Sequence, residues 1–141
     1  MPQVDFYILP SALPAARLDF ACKLVEKAWR LGHRIHLHCT DEIQRDELDA
    51  RLWSFKGESF VPHSGVQDAE APITLGTGEE TGTNTDLLVN LDLKIPVFFE
   101  RFGRIAEIVV EEPAIRQAAR DSFRFYRERG YPLQDHRLQR I

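Results

Sequence analysis

Two strand patterns, each followed closely by a helix pattern, constrain the fold of this chain more than any other feature of its sequence. A short apolar run at 4–9 is followed by apolar residues at three- and four-residue spacing over 18–29. Residues 34–39 alternate with period two, and a second helix pattern runs from Thr40 to about Trp53. Connections this short predict crossovers onto one sheet, so the order indicates a βαβα unit with parallel strands.

The rest of the chain predicts more elements of the same kind. Strands are expected at 86–91 and 104–110, a shorter one at 73–75, and a last helix at 113–129. The polar stretch 64–85 is expected to be mainly a long loop inside the domain. We therefore predict a three-layer α/β sandwich, with a mostly parallel sheet and helices on both faces, as one domain over 1–141. The 43% apolar content is sufficient for one core without disulfides or metal.

Composition and charge narrow the class of protein. No apolar run approaches the ~20 residues of a membrane span, and the first residues lack a basic region before an apolar stretch, so a cytoplasmic protein is expected. In that reducing compartment Cys22 and Cys39 are expected to be small buried residues without a redox role.

The charge of the chain is unevenly distributed. The net charge is −4, yet seven arginines oppose three acids from Ile115 to the end. A nucleic-acid binder is normally basic overall, so this local patch indicates a small acidic partner and little direct nucleic-acid binding.

A glycine-rich stretch weakly suggests a phosphate-binding loop. Gly76, Gly78 and Gly82 lie together, but they precede a strand and stand next to Glu79 and Glu80, which would repel phosphate. The turn after the first strand, where a dinucleotide fingerprint would stand, contains no glycine. We therefore expect a Rossmann-like fold without a nucleotide-binding glycine loop.

The sequence contains no complete motif for a metal site or for a set of catalytic residues. His36 and His38 share one face of a strand and His33 is nearby, but zinc needs three or four ligands and no clear second pair is present. A structural or surface role is expected for these histidines. No G-x-S-x-G elbow is present. No metal, cofactor or catalytic set is predicted.

The predicted last helix has a face on which arginines surround a phenylalanine. The residues at i, i+4, i+7 and i+11 are Arg116, Arg120, Phe123 and Arg127. Arg124 lies beside them. One interpretation is a solvent-exposed arginine face with Phe123 partly buried. The other is a pocket in which aromatic packing holds an apolar group while guanidinium groups bind a carboxylate.

A second unusual feature is a group of three large aromatic residues at the end of the second predicted helix and in the segment after it: Trp53, Phe55 and Phe60. They are equally typical of a satellite core and of a partner-binding surface, in which Trp anchors are over-represented.

Motifs over essentially the whole chain resemble the chi subunits of bacterial DNA polymerase III holoenzyme. The motifs are V-D-F-Y, G-H-R-I-H-L-H-C-T-D-E, L-W followed by S-F-V-P-H, D-L-L-V-N-L, and F-R-F-Y-R-E-R-G-Y-P-L. The resemblance implies a non-catalytic α/β accessory subunit in DNA replication, without a bound nucleotide. It also implies two partners. One is the psi subunit, which joins chi to the clamp loader, and the other is the acidic C-terminal tail, ending in Pro-Phe, of single-stranded DNA-binding protein (SSB).

Carried over by position, the resemblance implies an SSB-tail site at Val109, Arg120, Phe123 and Arg124. The arginine face adds two residues, so the expected tail site comprises Val109, Arg116, Arg120, Phe123, Arg124 and Arg127. Other family members have Tyr in place of Phe123 and Lys in place of Arg124, so charge and aromaticity are kept here while the phenolic hydroxyl is absent.

The resemblance also implies a psi surface around Trp53 and Phe60, for which an alternative helicase partner competes in the family. The competing hypothesis from another class is a stand-alone flavodoxin-like enzyme or a nucleotide-sensing domain. The absence of a glycine turn and of a catalytic set disfavours it.

Overall fold

A seven-stranded sheet, in which every neighbouring pair of strands is parallel, organises the part of the chain that the structure describes. The computed structural model describes residues 1–54 and 62–140. The strands are β1 (Gln3–Ile8), β2 (Ile35–His38), β3 (Ser64–Gly65), β4 (Ile73–Gly76), β5 (Leu87–Asn90), β6 (Arg104–Val109) and β7 (Leu133–Arg137). Their order across the sheet is β3-β4-β2-β5-β6-β1-β7. The helices are α1 (Ala15–Arg30), α2 (Glu42–Ser54) and α3 (Pro113–Glu128), with a short 3₁₀ turn at Phe99–Arg101.

The two faces of the sheet are buried against different helices. On one face, alternate strand residues such as Leu37 and Val89 belong to the core cluster that contains the inner sides of α1 and α2. On the other face, Leu88 and Ile105 pack in a second cluster with Tyr126 of α3 and the aromatic residues around the 3₁₀ turn. The period-two alternation of each strand thus supplies both cores. The predicted three-layer α/β sandwich is confirmed.

The sequence of α3 fixes both of its ends. Glu112 caps the first turn, since its carboxylate accepts hydrogen bonds from the backbone N–H groups of Ala114 and Ile115 at 3.1 and 2.9 Å. At the other end Gly130 has a φ of +78°, and the next residue, Tyr131, donates its N–H to the carbonyl of Tyr126 at 3.1 Å. This left-handed glycine closes the helix and turns the chain back to the sheet. The caps thus set where α3 begins and ends, and its buried residues Ile115, Ser122 and Tyr126 set which side faces the sheet.

Two strands were not expected from the sequence. The segment 64–85, predicted as mainly loop, contains the two-residue strand β3 as well as the expected β4. The final residues form β7, a parallel edge strand that pairs with β1 from Val4↔Leu133 to Ile8↔Arg137. Its sequence, L-Q-D-H-R, is largely exposed and lacks an apolar alternation. An edge strand of this kind gives no signal to a search for buried residues.

Both cysteines are buried, as are His36 and His38, whereas His33 is exposed. Cys22 and Cys39 are buried and form no disulfide. His36 is buried on the face toward α3, where its Nδ1 lies 2.9 Å from the Thr74 hydroxyl, and burial lowers the pKa of His36 to about 4. His38 is buried on the same face, with its Nε2 3.6 Å from the Asp92 carboxylate. In the described ranges no group of three or more His, Cys, Asp or Glu side chains is placed to hold a metal ion. None of the described helices is long and apolar enough to cross a membrane.

A candidate binding groove beside the last helix

A groove of about 330 Å³ lies between α3 and the ends of the three strands β6, β1 and β7. Val109, Ile8 and Arg137 are direct register partners across these strands, and Phe6 lies two residues before Ile8. Register partners in a parallel sheet project to the same face. Val109, Ile8 and Phe6 therefore form an apolar floor at the carboxyl end of the sheet, with Arg137 at its outer side.

The helix side of the groove contains the predicted phenylalanine. Phe123 is half-buried and packs edge-on against Phe6, with ring centroids 5.4 Å apart. The guanidinium carbon of Arg127 lies 5.9 Å from the centroid of the Phe123 ring. The structure therefore agrees with a partly buried Phe123 and also provides a groove at its ring, while binding of a ligand there stays a prediction. Phe123 is partly tucked into the second core cluster, and its ring also lines an open groove.

The charged rim of the groove has three arginines and two acids. Arg116 and Arg120 line it from α3, and Arg137 lines it from β7. All three are exposed, and none forms a side-chain hydrogen bond or an ion pair with any residue of the described ranges. Glu111 and Asp135 also line the groove. Because the guanidinium donors are not occupied within the described chain, they are available to a bound carboxylate.

The structure brings together four of the six residues expected in the tail site. Val109, Arg116, Arg120 and Phe123 line the groove, whereas Arg124 and Arg127 do not. Arg124 is exposed on α3, and Arg127 contacts the groove only through the ring of Phe123. The helical spacing placed all of these arginines on one broad side of α3, but the groove accepts only the part of that side that faces β1 and β7.

Sequence reasoning missed seven residues of the groove. The sheet contributes Phe6, Ile8, Asp135 and Arg137, the connection between β6 and α3 contributes Val110 and Glu111, and α3 contributes Ala119. The alternation in the first strand could have revealed Phe6 and Ile8, since they share one face. Arg137 could not have been found in this way because β7 has no apolar pattern.

Trp53 lies on a second surface. It is in the last turn of α2, its side chain is largely exposed at 57%, and its ring lies edge-on to that of His63 at 5.2 Å. The Nε2 atom of His63 lies 2.9 Å from the Asp49 carboxylate. Phe60, the other residue expected here, lies outside the described residues, as does Phe55. Because α2 and α3 pack on opposite faces of the sheet, Trp53 and Phe123 belong to different surfaces.

A row of buried polar residues crosses the sheet next to the groove floor. His38, Asn90, Glu107 and Phe6 are successive register partners, so the three polar side chains project toward α3. Asn90 donates a hydrogen bond from its side-chain amide to the Glu107 carboxyl at 3.0 Å. Burial raises the pKa of Glu107 to about 8, so this carboxyl is largely protonated at neutral pH. The groove floor thus lies beside a buried carboxyl group that is largely neutral and hydrogen-bonded to Asn90.

The fold and the groove define a parallel α/β domain that can hold an anion beside an apolar group. The family model described as "DNA polymerase III chi subunit, HolC" matches residues 1–134. The DNA polymerase III subunit chi of Pseudomonas aeruginosa is 66% identical over the full length of both chains. The subunit chi of Haemophilus influenzae is 33% identical over 92% of both chains, and that of Escherichia coli is 28% identical over 94% of this chain and 96% of the relative. The chain therefore belongs to the chi subunit family of DNA polymerase III, as the motifs implied, and to the bacterial DNA replication machinery.

Proposed function

We propose that this chain is a non-catalytic, cytoplasmic accessory subunit that connects DNA polymerase III to SSB-coated single-stranded DNA. In this proposal the groove beside α3 binds the acidic C-terminal tail of SSB. The surface around Trp53 binds psi, and psi links the chain to the clamp loader. The observation that carries the proposal is the groove itself, in which an apolar floor and unoccupied arginines lie side by side.

The chemistry of the tail matches this groove in two respects. A terminal phenylalanine needs an apolar slot, and Phe6, Ile8 and Val109 offer one beside the ring of Phe123. Acidic side chains and a terminal carboxylate need cationic donors, and the planar guanidinium groups of the rim can bind carboxylates through paired hydrogen bonds. A ligand with only one of these two features would leave half of the groove unused.

The psi surface is supported by the position of Trp53. A largely exposed Trp at a helix end is the residue type most enriched in interface anchors. It lies on the face of the sheet opposite α3, so psi and the tail can be bound at the same time. In this proposal a helicase partner competes with psi and leaves tail binding unaffected.

A titration with synthetic peptides tests the tail site. The full chain is titrated with a fluorescent acidic peptide ending in Pro-Phe and with the same peptide lacking the terminal Phe. We expect saturable binding of the first peptide and loss of binding of the second. Arg120→Ala should weaken binding of the complete peptide by about 1 kcal/mol, because it removes one exposed charged pair at the rim of the groove. Equal binding of the two peptides would refute the proposal.

A further inference from the structure

Arg137 occupies a position in the groove that the motif resemblance does not assign to the tail site. It is the last residue of β7, and it pairs in register with Ile8, which in turn pairs with Val109. Resting on the proposed tail site, we infer that Arg137 binds a carboxylate of the tail from the β7 side, so that the ligand is held between two separate cationic rims.

The geometry separates these rims. Arg116 and Arg120 extend from α3, whereas Arg137 belongs to the edge strand on the far side of the floor residues. The end of β7 is anchored to the floor, since the backbone N–H of Leu138 donates to the Ile8 carbonyl at 3.0 Å. The backbone of Arg137 is therefore held in register with Ile8 and is not part of an unpaired terminal segment.

The charges around Arg137 favour this role. It is exposed and has no ion-pair partner among residues 1–54 and 62–140, so its guanidinium donors are available. Asp135 lies two residues earlier on the same side of β7 and also lines the groove. A ligand carboxylate is repelled from Asp135 and attracted to Arg137, which directs it toward the carboxyl end of the strand.

Two carboxylates of the tail can reach this position. The α-carboxylate belongs to the same residue as the terminal ring, so a ring packed on Ile8 and Val109 brings it to the rim of the groove. An acidic side chain earlier in the tail carries the same chemistry. Amidation of the peptide terminus removes the charge of the α-carboxylate and leaves the acidic side chains unchanged, so it distinguishes the two carboxylates.

The test compares Arg137→Gln with Arg140→Gln in the full chain. Both variants remove one exposed arginine from the C-terminal segment, but Arg140 does not line the groove. We expect Arg137→Gln to weaken binding of the acidic Pro-Phe peptide by about fivefold at low salt, and Arg140→Gln to change it by less than about twofold. If the terminal carboxylate is the partner of Arg137, the wild type and Arg137→Gln bind the amidated peptide with equal affinity. If an acidic side chain of the tail is the partner, Arg137→Gln weakens binding of the free peptide and of the amidated peptide equally.

The outcomes separate this inference from the proposed function. If Arg137→Gln and Arg140→Gln bind alike while Arg120→Ala and loss of the terminal Phe still weaken binding, the inference is overturned and the tail site stands. If the wild-type chain does not bind the peptide, or does not require its terminal Phe, the tail site itself is wrong. Melting temperatures of the two variants within about 2 °C of the wild type show that the fold is unchanged, because exposed substitutions have small effects on stability.

Discussion

Replacing Phe123 by alanine should reduce tail binding strongly, whereas Phe125→Ala should leave it unchanged. The two residues are well matched, because both are half-buried phenylalanines of α3 and each has an arginine over its ring, Arg127 at 5.9 Å and Arg129 at 3.8 Å. They differ in what they face. Phe123 packs against Phe6 and lines the groove. Phe125 packs against the aromatic residues near the 3₁₀ turn and does not line the groove.

The magnitudes follow from burial. A fully buried Phe→Ala change costs about 3–5 kcal/mol of unfolding free energy, so each of these half-buried residues should cost roughly 2 kcal/mol. The two variants should therefore be destabilised to a similar extent. For binding, an aromatic residue that packs against the ligand contributes about 2 kcal/mol or more, which is roughly a thirtyfold loss of affinity. Only Phe123→Ala should show this loss.

Urea denaturation gives the free energy of unfolding of each variant, and fluorescence anisotropy with the Pro-Phe peptide gives the affinity. Both are measured at a temperature at which the variants remain folded. The reasoning is refuted if a folded Phe123→Ala chain binds like the wild type. It is also refuted if Phe125→Ala loses as much affinity as Phe123→Ala, because the loss would then report a general change in α3.

Further predictions concern charge, the second surface and the buried polar row. Tail binding should weaken as salt is raised from low to physiological concentration, since exposed ion pairs are screened over ~8 Å, and a salt-independent affinity in a titration series would contradict the role of the arginines. Trp53→Ala should weaken psi binding by about 2 kcal/mol or more and leave the peptide affinity unchanged, and loss of both partners from a chain with normal melting temperature would argue against two surfaces. The raised pKa of Glu107 means that the folded state binds the proton more tightly than the unfolded state, so wild-type stability should fall as pH rises from about 4.5 to about 8. Glu107→Gln should remove this contribution to the pH dependence of the free energy of unfolding, which amounts to at most about 1.4 kcal/mol per pH unit. Denaturation curves measured at several pH values would contradict the prediction if the free energy of unfolding of the wild type and of Glu107→Gln changed equally with pH. Tyr126→Phe should not destabilise the protein, because the buried hydroxyl has no hydrogen-bond partner in the described ranges, and a clear drop in melting temperature would show that the hydroxyl is satisfied.

The sheet core and the three helices were predictable because their residues are buried on defined faces. The apolar alternation of β2 and the three- and four-residue spacing of α1 are direct consequences of which side chains meet the core. Boundaries also agreed closely, as in the strand expected at 104–110 and observed at Arg104–Val109. The edge strands β3 and β7 were missed because they are held mainly by backbone hydrogen bonds to one neighbour, and such bonds leave little pattern in the side chains.

The candidate site was predictable to the same extent. The spacing of arginines around Phe123 located the helix side of the groove, since that spacing depends only on helix geometry. It could not tell which arginines face a cavity, because this depends on where the neighbouring strands end. Arg124 and Arg127 were therefore included although they do not line the groove, and Arg137 was omitted although it does.

The two acids on the rim of the groove give a reason to expect that it binds a peptide tail rather than a nucleic acid. A nucleic-acid strand carries a phosphate on every nucleotide, so a strand laid along the groove would bring phosphates next to Glu111 and Asp135 as well as next to the arginines. A tail that ends in an aromatic residue can instead place its ring on Ile8 and Val109 and its carboxylates at the arginines alone. We therefore expect the rim acids to weaken binding of a continuous polyanion more than binding of a short acidic ligand with an apolar end. Neutralising Asp135 by an Asn substitution should therefore strengthen binding of single-stranded DNA more than binding of the acidic Pro-Phe peptide. Anisotropy measured with both ligands tests this, and an equal gain for the two ligands would show that Asp135 does not contribute to the discrimination.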